Sequence, residues 1–357
     1  MKYMFQKALW IRNYKQGKYV IWLFWLSTLY IFPYKYYIRA EQIAKYFHLK
    51  KSDPYYMYSL HGAEPILFPA LLLIGLAILL IGWERNNQTI DFLCSMPFKR
   101  SHLFLSKWLL GIVHIVGALI FSWLLMYIIY KNTIHAHYQS FSPFHVYFSY
   151  VIMTLIAIYT FTLFIGTITG NVISQSVLSC IMIIFPLCIF QLVFPFFALH
   201  VNLSPKEFND IYAKYATYTK NTSIIAPLEY FHIEYDYDSQ RDSFEDGFGN
   251  RQTGPTYHQI PPVWTLLSPA IYILICLPLG VYLYRRAPNE HNGKILLYPK
   301  LHKYFLICTS LCFALLGADA FGSESPPSYY MYFMGSGLLA YVMLHRLLKH
   351  KLSLYVK

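Results

Sequence analysis

Eight apolar runs alternate with polar interludes along the chain: Tyr19–Tyr34, Pro65–Gly82, Trp108–Tyr130, His145–Ile168, Ile173–Leu199, Val263–Tyr284, Tyr304–Ala318 and Tyr329–His345. A helix advances about 1.5 Å per residue, so roughly 20 apolar residues cross the hydrocarbon core of a bilayer. The pattern therefore predicts an all-α polytopic membrane protein with about eight transmembrane helices. From Asn132 to Pro205 there is no Asp, Glu, Lys or Arg. That stretch predicts two spans joined by a tight turn at Gly170-Asn171. Tyr304–Ala318 is short and ends at Asp319, so a re-entrant or interfacial segment stays open there.

The polar stretches divide by character. Met1–Lys18 alternates apolar and basic residues, which suits an amphipathic segment lying on an anionic membrane face. Lys35–Glu64 and Val201–Pro262 read as polar loops, the second holding most of the acids. Lys and Arg concentrate in the amino-terminal segment, in Trp83–Lys107, in Arg285–Lys303 and in the tail. Of the 17 acids only Glu84, Asp91 and Glu290 share that side. The basic bias predicts both termini in the cytoplasm.

Composition supports the same class. The 357 residues are 56% hydrophobic and only 13% charged, against about 25% charged in an ordinary soluble domain. The net charge of +12 sits at the ends of apolar runs, so it reports topology and gives no reason to expect nucleic acid as a partner. The six cysteines fall in expected membrane or cytoplasmic positions, which predicts no disulfide framework. No small-residue cleavage site follows the first apolar run, so it reads as a retained anchor.

The interlude Trp83–Lys107 carries its own punctuation. Thr89 is placed to cap a short helix in which Ile90, Leu93 and Cys94 share a face and Asp91 meets the helix dipole. Pro97 stops that helix, Lys99 and Arg100 follow, and Ser101 is placed to cap the next span. Such a helix offers Phe92, Leu93 and Met96 sideways, either to a soluble partner or simply to lipid headgroups.

A Glu at the end of one span, then T-x-x-F-L-x-S-x-P, basic residues, and a Lys opening the next helix resembles the first cytoplasmic loop of ABC-2 type exporter permeases. The matching residues are Glu84, Thr89, Phe92, Leu93, Ser95, Met96, Pro97, Lys99, Arg100 and Lys107. In that family the loop is a coupling helix seated in a groove of the ATP-hydrolysing subunit. The resemblance implies a six-helix permease core over residues 19–284, with a coupling loop at 84–107 and an extracellular loop at 201–262. A cytoplasmic loop at 285–303 and a C-terminal helix pair with a basic tail at 304–357 follow. The extra pair and the R-R-x-x-x-E-x-x-G run (Arg285, Arg286, Glu290, Gly293) resemble more narrowly the Ytr-type permeases of Gram-positive bacteria. Implied partners are cytoplasmic ABC ATPase subunits, a second permease subunit in a homo- or heterodimer, and the lipid bilayer of a bacterial plasma membrane.

The residues offer little chemistry of their own. Gly293-Lys294 lacks a following Ser or Thr, and Pro288 stands where a phosphate loop needs its first glycine. ATP and Mg are therefore expected in the partner ATPase, with no cofactor in this chain. His114 reads as a histidine hydrogen-bonded to a neighbouring helix. Thr154, Thr160, Thr162, Thr167, Thr169, Ser174, Gln175, Ser176 and Ser179 either line a cavity or let helices pack closely. Asp236, Asp238 and Asp242 do not fit an EF-hand, because Arg241 and Gly247 stand where Gly and Glu are required. His232 with Glu229 and Glu234 lacks zinc-protease spacing, and His135 and His137 flank one residue. No catalytic residue and no metal ligand is assigned. The expected function is export of an amphipathic or hydrophobic substrate (peptide, antibiotic or lipid-like) by ATP hydrolysed in another subunit. A membrane sensor signalling through a partner ATPase, or an integral membrane enzyme, are the alternatives.

Overall fold

A computed structural model describes residues 7–49, 55–87, 89, 98–201, 205–238, 257–288, 293–322 and 326–353. Its long helices are α1 (Lys7–Leu29), α2 (Lys35–Leu49), α3 (Glu64–Asn86), α4 (Arg100–Asn132), α5 (Ser142–Ile168), α6 (Val172–His200), α7 (Pro205–Thr222), α8 (Leu267–Arg286), α9 (Pro299–Phe321) and α10 (Pro326–Ser353). The protein is thus an all-α polytopic membrane protein. Among the described residues, six helical segments are long and apolar enough to cross a bilayer: α3, α4, α5, Val172–Ala198 within α6, Val263–Arg286 including α8, and α9. The expected first and last spans lie in α1 and α10, which fall outside those six. Tyr304–Ala318 is part of the 23-residue α9, long enough for a complete crossing.

Two stretches expected to be loops are structured. Lys35–Glu64 holds α2 and the strand β1 (Tyr55–His61); Val201–Pro262 holds α7, β2 (His232–Asp238) and β3 (Tyr257–Gln259). The strands form an antiparallel sheet in the order β1-β2-β3, with Tyr56 opposite Tyr237 and His61 opposite His232. Residues 7–18 run without a break into the first apolar run as one helix, α1. Pro33 lies in a π-helical turn, Tyr30–Tyr34, joining α1 to α2. That wider turn accommodates a residue with no backbone N–H to donate.

The chain divides into two compact units, the first formed by residues 1–76, 105–160 and 224–275, the second by 77–104, 161–223 and 276–357. In the first, the alternation of β1 buries Tyr56 and Tyr58. There they meet Tyr36 of α2 and His135, which stack with ring centroids 4.1 Å apart. Gly62 is required by close approach: its N–H donates to the Phe231 carbonyl at 2.7 Å, and an added Cβ would lie 2.5 Å from that of Phe231. Tyr147 of α5 donates to the Gly62 carbonyl at 3.0 Å. Helix α4 packs on α5 through Trp108 Nε1 to Thr160 Oγ1 at 2.9 Å and Tyr159 Oη to the Lys107 carbonyl at 2.8 Å. His114 accepts from Trp25 Nε1 at 3.4 Å, the helix-to-helix role expected of it.

In the second unit, α9 and α10 form a helical hairpin closed by small residues. Ser336 donates to the Ala314 carbonyl at 3.3 Å, and a Cβ on Gly337 would lie 2.9 Å from the Ala314 side chain. Small side chains let two helices approach until their backbones pack.

Candidate functional site

The site begins at the end of α3. Its last apolar turns are π-helical over Ile78–Trp83, followed by a short α-helical end, Glu84–Asn86. Glu84 and Arg85 are each only 1% exposed, whereas Trp83 is exposed. The Glu84 carbonyl accepts from Thr89 Oγ1 at 3.2 Å. The Thr89 hydroxyl, expected to cap a following helix, thus turns back onto the preceding one. Phe92, Leu93, Ser95, Met96 and Pro97 lie outside the described residues.

Arg85 reaches across to the turn between α5 and α6 and donates to the backbone carbonyl of Thr169. Its guanidinium also lies 6.0 Å from the Tyr284 ring centroid in α8. A buried guanidinium is stable only where carbonyls or π faces replace its lost hydration, and this pocket supplies both. Burial pushes the Tyr298 hydroxyl above its usual pKa, while the nearby Arg85 and Arg286 cations partly offset that rise.

The α5–α6 turn is held in turn by the second interlude. Gly293 N–H donates to the Gly170 carbonyl at 2.7 Å and Leu297 N–H to the Ile168 carbonyl at 2.9 Å. Thr169 and Leu296 form an antiparallel bridge. Asn171 caps α6, its Oδ1 accepting from Ser174 N–H at 2.7 Å, while its Nδ2 donates to the Gly293 carbonyl at 3.2 Å. Gly293 has φ 89°, a left-handed conformation that costs a residue with a Cβ. The glycine considered for a phosphate loop is the pivot of this clip.

Beneath the clip, Gln175 is fully buried, and its Nε2 donates to the Thr162 carbonyl at 3.2 Å and the Ala77 carbonyl at 3.4 Å. Gly82 and Gly166 make room for it. A Cβ on either would come within 2.7 Å and 2.6 Å of the Gln175 amide. Thr162, Thr167 and Thr169 are likewise buried. In the first unit Thr154 and Thr160 are also buried, so these small polar positions serve close packing.

The start of α4 joins the same cluster. Lys99 is exposed and its carbonyl accepts from His102 and Leu103 at 2.9 and 3.3 Å, so the helix opens at Arg100 and not at Ser101. Arg100 Nη1 donates to the Ala287 carbonyl at 3.0 Å, just past α8. Glu84, Thr89, Lys99 and Arg100 therefore belong to the second unit. Lys107, 1% exposed, belongs to the first. Arg85, Asn171 and Gly293 were not expected as parts of the site. Nothing in a single charged residue at a helix end marks it for burial against a carbonyl 84 positions away. Elsewhere, Asp236 lies in β2 opposite Met57, and Asp242 lies outside the described residues. No group of three or more His, Cys, Asp or Glu converges as a metal site among the described residues.

The cluster ties Arg85 and Arg100 of the first polar interlude to the α5–α6 turn and to the start of the second interlude. The sequence matches the ABC-2 family transporter protein family over residues 27–288. It is 25% identical over 284 residues to the probable ABC transporter permease YtrC of Bacillus subtilis (strain 168), covering 75% of this chain and 71% of YtrC. Against the probable ABC transporter permease YtrD of the same organism it is 23% identical over 288 residues, covering 77% of each. With the family match running from within α1 through the end of α8, the chain belongs to the ABC-2 family of transporter proteins.

Proposed function

We propose that this chain, a multi-pass permease of an ABC transporter in the cell membrane, exports an amphipathic or hydrophobic substrate using ATP-Mg bound and hydrolysed in a separate subunit. Association with an ATP-binding subunit follows from the family; the point of attachment is the proposal. The coupling segment is 84–107, with Phe92, Leu93 and Met96 as apolar contacts, Ser95 and Pro97 shaping the helix, and Lys99 beside it. Both termini are then cytoplasmic, as the Lys and Arg distribution favours, and a second permease subunit completes the pathway. The observation that carries this reading is the anchoring of the segment's two flanks. Arg85 is fixed to the α5–α6 turn and Arg100 to the end of α8, so a push on the intervening residues reaches three helices together.

Co-purification tests it. The wild-type chain is expected to bring down its ATPase, and Leu93→Asp or Met96→Asp to reduce recovery at least tenfold while leaving the permease folded. Wild-type recovery with both variants would overturn the assignment of 84–107 as the coupling segment. Substrate-stimulated ATP hydrolysis in liposomes without substrate movement would overturn export.

A further inference from the structure

A cavity of about 240 Å³ opens in the first unit where α1 passes into α2. Phe32, Tyr36, Tyr58, Tyr147 and Phe148 line it, together with Lys35 and Arg39, which are exposed. The aromatic lining is held by its own contacts. Tyr36 Oη donates to Gln139 Oε1 at 2.7 Å, Tyr147 Oη to the Gly62 carbonyl at 3.0 Å, and Phe32 packs on Phe148 at 5.1 Å. Arg39 Nη2 donates to the Met57 carbonyl at 3.2 Å, which holds the guanidinium above β1. Lys35 and Arg39 are four residues apart on one helix, so they share a face.

The surroundings say what reaches this cavity. Trp22 and Leu26 of α1, Tyr30 and Tyr34 of the turn that follows it, and Tyr37 of α2 are all exposed. Aromatic residues gathered at the end of an apolar helix mark the membrane–water boundary, which sets Lys35 and Arg39 at headgroup depth. Both cations are exposed, and neither forms an ion pair with a carboxylate among the described residues. A cavity of roughly 150 Å³ already accepts benzene, and drug-sized ligands need about 300 Å³ or more. The space therefore suits a segment of hydrocarbon chain and not a whole solute.

We infer that this cavity is a binding site for an anionic phospholipid, its phosphate held between Lys35 and Arg39 and the start of one acyl chain lying against the aromatic walls. The site belongs to the first unit and stands independently of how the ATPase is engaged.

The test uses the full chain in nanodiscs and then in detergent, with retained lipid counted by native mass spectrometry. Phosphatidylglycerol is expected to be retained in preference to phosphatidylcholine. Each basic residue near a membrane surface strengthens anionic lipid binding about fivefold, so the double variant Lys35→Ala/Arg39→Ala is expected to weaken retention roughly thirtyfold. Ser59→Trp, which keeps both cations and fills the cavity, is expected to weaken it as well. Variants are compared only where thermal unfolding matches the wild type. Equal retention of the two lipids, or of phosphatidylglycerol by the double variant, would overturn the site. Unchanged retention by Ser59→Trp would show an open basic patch with no role for the cavity, and displacement by soluble glycerol 3-phosphate would show a solute site; either refutes the lipid assignment.

Discussion

Arg85 and Thr169 are joined by a hydrogen bond from the guanidinium to the backbone carbonyl, so the buried cation at the end of α3 holds the α5–α6 turn. The bond runs from a side chain to a main-chain atom. No substitution at Thr169 can remove it directly, and its strength rests on Arg85 alone.

Replacing Arg85 is therefore expected to loosen the second unit. A hydrogen bond to a charged group contributes about 1.5–3 kcal/mol, and Arg85→Ala is expected to lose an amount of that order. Arg85→Lys keeps the charge but not the planar fork, and is expected to lose part of it. Thermal unfolding in detergent measures both; equal midpoints for the two variants and the wild type would contradict the anchoring role.

Gly293 offers a second handle on the same clip. With φ 89°, Gly293→Ala is expected to cost about 1–2 kcal/mol, and Gly293→Asn less, since Asn tolerates the left-handed region. The readout is hydrogen exchange at the Gly170 amide, which donates to the Ile295 carbonyl at 3.4 Å. Its protection is expected to fall in the order wild type, Asn, Ala.

In the first unit, Gly111 faces the Tyr159 ring so closely that an added Cβ would overlap it. Gly111→Ala is expected to destabilise by about 1–3 kcal/mol through overpacking. Combined with Tyr159→Ala, its effect is expected to be smaller than in the wild-type background. A double-mutant cycle on denaturant midpoints detects that coupling.

His135 gives the pH dependence. It is fully buried, with Nε2 3.1 Å from the Tyr36 carbonyl and Nδ1 2.5 Å from Tyr56 Oη. A carbonyl only accepts, so Nε2 carries the proton and Nδ1 accepts from the tyrosine. Burial, helped by the Arg39 cation and opposed by the hydrogen bond with the Tyr36 carbonyl, lowers the pKa from 6.5 to about 4. Between those values the unfolded chain binds more protons than the folded one. Stability is then complete above about pH 6.5 and falls by about 3 kcal/mol as the pH drops to about 4. Unfolding midpoints across that window are expected to follow this slope for the wild type and to flatten for His135→Gln.

Six of the eight expected spans were legible because long runs without charge have no other stable place than a bilayer or its equivalent. The sheet was not. The β1 sequence YYMYSLH does alternate, but its partner is the His232–Asp238 segment, and pairing at that separation leaves no local mark. Helix α2 was hidden for a different reason: its Arg, Glu and Lys residues resemble a solvated loop when only span-length hydropathy is weighed. Of the residues expected to couple, Glu84 and Arg100 fall within one anchored cluster, while Arg85 between Glu84 and Thr89 was passed over. Its neighbours in sequence are polar, and only the folded turn supplies the carbonyl that makes its burial tolerable.

The strand order β1-β2-β3 also bears on biosynthesis. As the ribosome delivers Tyr55–His61, no complementary segment exists until residues 232–238 emerge, by which time the hydrophobic segments from α3 to α6 have already been made. An edge rich in tyrosine waits unpaired through that whole interval, a hazard for self-association. The sheet therefore closes late in synthesis, and any factor that delays elongation before residue 232 lengthens the exposure.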